Sequence, residues 1–142
     1  MDVSTVQLSH IEEIKILTDV KLTNESNDRE NSLQNVHVNF ILNGEIKGDV
    51  TAYLCLDGVD LSTAEKNYLF PLFTESMNIL IGKQISLDPQ LNYLRVSLSP
   101  PRFIGKAESI KLKRGLTSQT YFLETEEFRL PVILIYQLER MQ

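Results

Sequence analysis

Glu75 and Asn78 are the polar pair in this chain whose types and spacing best suit chemistry on a target outside it. The carboxylate brings charge, and the carboxamide both donates and accepts hydrogen bonds. Three residues apart on a helix, the two fall about 60° from each other around the axis, one above the other, so their heads can act on a common target. A solvated helix surface can display the same pair with no function attached. The rest of the chain offers few rivals. It has no glycine-rich phosphate loop, no nucleophile elbow and no histidine pair at ligand spacing. His10 and His37 read as a surface residue and a satisfied strand residue. Asp57 and Asp60 flank the approach to the helix and could be pictured as a cation site, but turn and capping roles explain them more simply.

The helix that must carry the pair spans 61–82, the one long stretch with helical periodicity. Leu69, Leu72, Phe73, Ser76, Met77, Ile79 and Leu80 gather into one broad stripe, the signature of a helix lying on a core. Glu75 and Asn78 fall on the far side with Asn67, Pro71, Thr74 and Gly82, a face without a large apolar side chain that another surface could approach closely. Ser62 followed by Glu65 fits a capping box, and Asp60 adds negative charge near the positive end of the dipole. Pro71 lacks a backbone donor and clashes with the carbonyl four residues back, so a kink or two abutting helices is expected there.

Around this helix the chain reads as strands. Residues 13–22 alternate, apart from Leu17, and read as one half-buried strand preceded by a short helical turn over 9–13. The polar run 23–35 reads as a flexible loop. Residues 36–43 and 49–56 form a hairpin across Gly44 to Gly48, and Asp88-Pro89 closes the helical region. Four further β-like runs follow at 93–99, 107–113, 119–124 and 128–138. Pro131 demotes at least the start of the last run to an edge or a bulge. The expected fold is α+β: one domain over 1–142, with an antiparallel-dominated sheet of six to seven strands and one main, Pro-kinked helix across a face.

Composition narrows the function classes. With 142 residues, 42% hydrophobic and 23% charged, the chain reads as one globular, soluble unit. No apolar run approaches the roughly 20 residues of a membrane span, and no secretory signal opens the chain; a cytoplasmic location is expected. A net charge of −5 argues against non-specific nucleic-acid binding. Lys111, Lys113 and Arg114 read as the solvent face of a strand ending at Gly115 rather than a basic patch. The single cysteine, Cys55, excludes an intrachain disulfide and a cysteine-rich metal site, and reads as an inert core thiol.

Residues 75–82, Glu-Ser-Met-Asn-Ile-Leu-Ile-Gly, stand twenty-two residues before Pro101 (counted between Asn78 and Pro101) and follow the Gly44 to Val50 hairpin. In this pattern the chain resembles the CheC, CheX and FliY family of chemotaxis phosphatases, whose signature is Glu, two residues, Asn, then a proline at this distance after a strand. The resemblance runs from about Val36 to Leu138 in order of elements, with the specific motif confined to Glu75, Asn78, Gly82 and Pro101. A single such helix looks more like CheX than CheC. The chain departs in having Pro71 where the family usually has Asp or Ser, and in lacking a substantial opening helix.

The resemblance implies hydrolysis of the aspartyl phosphate of a CheY-like response regulator, with Glu75 and Asn78 as the catalytic pair. Asn78 would orient the attacking water and Glu75 would engage the regulator's lysine. An aspartyl phosphate is already activated, so an amide that positions water can suffice without a general base. No cofactor or metal of the chain's own is implied; Mg2+ would sit on the partner. The alternative is a non-catalytic adaptor that binds a response regulator or a flagellar switch component with the same face. A homodimer is also implied, since CheX-like members pair through their sheets and 128–138 would be hazardous as a bare edge.

Overall fold

The structure, a computed structural model, describes residues 3–25, 32–107 and 115–141. Strands β1 (Val3–Val6), β2 (Glu13–Leu17), β3 (Val20–Glu25), β4 (Asn35–Gly44) and β5 (Ile46–Cys55) precede helix α1 (Thr63–Ser86). Then come β6 (Val96–Leu98), β7 (Arg102–Ala107), β8 (Thr117–Glu124) and β9 (Arg129–Met141). Every pairing is antiparallel, in the order β2-β3-β8-β9-β5-β4-β6, with β1 added to β9 and β7 to β4. The fold is α+β, one helix on a curled antiparallel sheet.

Two long strands organise the sheet, and each takes two partners end to end along one side. β9 pairs along one side with β5 and along the other with β8 and then β1. β4 pairs with β5 on one side and with β6 and β7 on the other. Alternate residues of the central strands point to one face, where Val38, Phe40, Val50, Ala52, Leu54, Val132 and Leu134 are wholly buried. Helix α1 covers that face with Leu69, Phe73, Met77 and Leu80, each fully removed from solvent. Leu72, Ser76, Ile81 and Gln84 complete the buried stripe, while Ile79 sits half-buried at its margin.

Several sequence expectations are corrected. The main path of the sheet has seven strands among the described residues, within the expected six to seven, and β1 and β7 join it off that path, on β9 and β4. Residues 13–22 form a hairpin, not one strand: the chain turns at Thr18 and Asp19, where the apolar alternation breaks at Leu17. Residues 9–12 are not helical: the chain bends at Glu12, and Ile11 packs against the core. Thr23, Asn24 and Glu25 of the expected loop continue β3 against β8, since a polar alternation suffices on an outer sheet region, and Asn35 already belongs to β4. The rest of that loop, 26–31, lies outside the described residues, as do 108–113 of the expected strand and Lys111, Lys113 and Arg114. The expected strand 93–99 shortens to β6, because Leu91 and Leu94 are drawn into turns against the core.

Helix α1 is one continuous element of 24 residues, extending past the expected end to Ser86, and Pro71 does not divide it into two. β9 is interior, not a bare edge, which removes the edge argument for a homodimer. Pro131 is accommodated because the β5 ladder begins only at Val132. At one edge of the sheet, β2 carries Glu13 and Lys15 and an irregular register between Lys15 and Leu17, devices that discourage further strand addition.

Gly48 shows how closely β5 and β9 approach. Its φ is +140°, and a Cβ there would lie 2.2 Å from the backbone oxygen of Gln137. Gly48→Ala should therefore destabilise the protein by roughly 2 kcal/mol or more, since only a shift of backbone relieves the clash. Urea unfolding of the two proteins measures this; equal midpoints would contradict it.

Candidate functional site

The chain leaves β5 for α1 through a turn held by Asp57. Ser32 Oγ donates to one carboxylate oxygen at 2.6 Å, and the backbone amides of Leu33 and Gln34 donate to the other at 3.0 and 2.9 Å. Leu56 N donates to Gln34 O at 2.8 Å, tying the start of β4 to the end of β5. The hydrogen bond from Ser32, together with those from the Gln34 and Leu33 amides, outweighs desolvation and holds the Asp57 carboxyl below its ordinary range. Asp57 is thus a turn clamp, the role preferred over cation binding, and the described residues contain no group of acidic, histidine or cysteine side chains able to hold a metal.

The helix begins as its sequence predicts. Glu65 N donates to Ser62 Oγ at 3.1 Å, and Ser62 N donates to Glu65 Oε1 at 2.9 Å, the reciprocal capping box. The other end is pinned by a buried polar network that pattern reading missed. Gln84 Nε2 reaches Ser9 O at 2.9 Å, Gln119 Oε1 at 2.7 Å and Tyr121 Oη at 3.2 Å. Gln119 Nε2 donates to Leu8 O at 2.7 Å and lies 3.2 Å from Tyr136 Oη, which accepts from Leu8 N at 3.0 Å. Burial raises the pKa of both tyrosines above the ordinary phenol value despite these bonds. The glutamine in an otherwise apolar stripe was the available signal.

Between these anchors, the solvent face of α1 holds the sequence-selected residues. Glu75 is exposed and Asn78 half-buried, and neither side chain bonds to another among the described residues. Asn67, Pro71 and Gly82 are exposed on the same face and Thr74 is half-buried. Pro71 cannot donate to the Asn67 carbonyl, so that oxygen lacks its intrahelical partner. Thr74 Oγ1 donates to Phe70 O at 2.9 Å and Ser76 Oγ to Leu72 O at 2.6 Å, so neither hydroxyl competes for a target outside. Pro101, the last residue of the motif, is exposed in the link between β6 and β7. The structure thus brings Glu75 and Asn78 together on one open face, and leaves Pro101 off the helix.

The other candidates stay apart from this face. His10 is exposed, and His37 stacks on Tyr53 with ring centroids 5.3 Å apart. Cys55 is buried beside Ile133 and Ile135. Glu124 is desolvated, yet hydrogen bonds from Arg129 and Thr23 and the charge of Lys21 bring its carboxyl below the ordinary range. It ties β8 to its neighbours at a distance in sequence from α1.

Fold and site together define an α+β protein whose one long helix presents a Glu-x-x-Asn pair on the side away from an antiparallel sheet. No protein-family model matches the sequence, and no curated protein matches it. Among solved structures, the chain is similar to a chain of the crystal structure of the CheX-CheY-BeF3-Mg+2 complex from Borrelia burgdorferi, at 12% identity and a TM-score of 0.48 over 86% of each chain. Among the described residues, no helix is long and apolar enough to cross a membrane.

The Asp57 clamp has a pH signature. Its carboxyl ionises more readily in the folded than in the unfolded chain, so its contribution to stability is present above the unfolded pKa of about 4 and is lost as pH falls through the lower folded value. Asp57→Asn should melt below the wild type at neutral pH, and the gap should close as the pH falls below about 4. A melting-temperature series across pH measures this; a gap that stays constant into acid would assign the clamp no ionic component.

Proposed function

We propose that this protein hydrolyses the aspartyl phosphate of a CheY-like response regulator by inserting Glu75 and Asn78 into the regulator's active site. The observation that carries the reading is the pair itself: a Glu-x-x-Asn motif on the open face of a helix anchored at both ends, with both heads uncommitted among the described residues. The motif's resemblance to the chemotaxis phosphatases supplies the substrate class.

The chemistry asks little of this chain. Phosphoryl transfer from an acyl phosphate needs a water in line with the leaving carboxylate and stabilisation of the charge on the transferred group. Asn78, neutral near pH 7, accepts a hydrogen bond from that water with its amide oxygen and donates to a phosphoryl oxygen with its nitrogen. The water oxygen bonds to phosphorus, the bond to the aspartyl oxygen breaks, and the freed carboxylate takes the electron pair. The water's proton leaves with the inorganic phosphate. Asn78 acts by position, lowering the entropic cost of aligning the water. Glu75 pairs with the regulator's lysine and so sets register. Mg2+ and the phosphorylated aspartate belong to the regulator, and no cofactor of this chain's own enters the scheme.

The test is dephosphorylation of purified regulators by wild type, Asn78→Ala and Glu75→Ala. Alanine is the best helix former, so neither change at this open face should unfold α1. Asn78→Ala should slow phosphate release by about tenfold or more with little change in affinity, the mark of an interaction made in the transition state. Glu75→Ala should weaken both, by about 2 kcal/mol or more in binding where the lysine pair is desolvated. Equal acceleration by wild type and Asn78→Ala would remove the catalytic role; binding without acceleration by wild type would make the protein an adaptor.

A further inference from the structure

Beside Glu75 the helix does not meet bare solvent but a trough. Phe103 of β7 is 49% exposed, and its ring lies 6.0 Å from that of half-buried Phe70. With Pro71, Thr74, Lys66 and Glu75 these rings line a groove of about 480 Å³. Lys66, Phe70 and Phe103 also line a second hollow of about 240 Å³, walled by Val36 and Leu56. Asn35 borders that hollow, 1% exposed, with its Oδ1 buried and without a hydrogen-bond partner. Lys66 and Glu75 are separated by about 13 Å along the helix, too far to pair, and neither forms an ion pair among the described residues. Half-exposed aromatic rings in a concavity flanked by uncommitted opposite charges have the composition of an interface hot spot.

We infer that this trough is a second docking point for the phosphorylated regulator: an apolar side chain of the regulator enters between Phe70 and Phe103, and a carboxylate beside it meets Lys66. The inference rests on the function proposed above. Continuity names the occupant. Glu75 lines the trough and stands about 6 Å along the axis from Pro71, so a regulator placed over Glu75 and Asn78 also covers the groove. Charge adds direction, because the segment that fills it meets a cation at the Lys66 end and an anion at the Glu75 end. Glu75 and Asn78 then act on a phosphoryl group common to many regulators, while the trough decides which regulator is served.

The experiment uses the full chain and the CheY-like regulators of its source organism, each purified and loaded with beryllofluoride for binding or with phosphate for turnover. Phe103→Ala should raise Kd and KM for the cognate regulator tenfold or more, with the loss falling on KM and not on kcat. Lys66→Glu should raise Kd to a similar degree, and a regulator that binds wild type poorly should lose less with either variant. Lys66 is an exposed helix position, so this second variant keeps the test decisive if Phe103→Ala proves unstable in a thermal melt. If wild type dephosphorylates a regulator and both variants bind it with unchanged Kd, the trough has no docking role while the phosphatase reading stands. If wild type neither binds nor dephosphorylates any of the regulators, the phosphatase reading fails and takes the regulator with it as occupant.

Discussion

Helix α1 lies on the sheet with Leu69, Phe73, Met77 and Leu80 fully removed from solvent, and that burial sets the helix's rotation about its own axis. Each such side chain contributes about 2 kcal/mol relative to exposure, so turning the helix by one residue, about 100°, would forfeit most of the contact. Gln84 sharpens the constraint, because its amide nitrogen meets three oxygens, from Ser9, Gln119 and Tyr121. With the buried side settled, the opposite side is settled too. Glu75 and Asn78 point outward because their neighbours one residue on, Ser76 and Ile79, are needed at or near the core.

The sheet supports this helix through an economical use of two long strands. β9 and β4 each accept two partners end to end along one side. The short strands β1, β6 and β7 need only a few ladder bonds apiece, since the long strand supplies the common template. β7, joined to β4 with an irregular register between His37 and Val38, comes close enough to α1 for Phe103 to meet Phe70. The trough beside Glu75 therefore depends on a strand whose position is dictated by β4 and not by the helix.

The function proposed for this face divides the reaction's machinery between two proteins. An enzyme that activated its own nucleophile would need a base with a shifted pKa in a sheltered cleft. Among the described residues, the groups with shifted pKa values, Asp57, Glu124, Tyr53, Tyr121 and Tyr136, owe their shifts to turns, strand ties and burial. The pair on the helix stands apart from all of them, on the face turned away from the sheet.

The sequence by itself determined the helix, its capping box, its buried stripe and the outward pair, because these depend on periodicity and on contacts within a few residues. It also determined the 36–56 hairpin, though the expected link from Gly44 to Gly48 tightens to a turn at Glu45, with 46–48 already in β5. It could not place β1 or β7, whose few residues become strands only when β9 and β4 offer an edge, nor see that Thr18 and Asp19 fold 13–22 back on itself. Pro71 illustrates the same boundary: local chemistry predicts a break, yet the stripe on both sides is buried against one continuous sheet, and packing keeps the helix as one. The position of β9 was decided only by the tertiary structure, because a long apolar strand reads alike whether its neighbours cover it on one side or two. The trough between Phe70 and Phe103 joins residues thirty-three apart in the chain, a proximity that arises from the register of β7 on β4 and that no local pattern encodes.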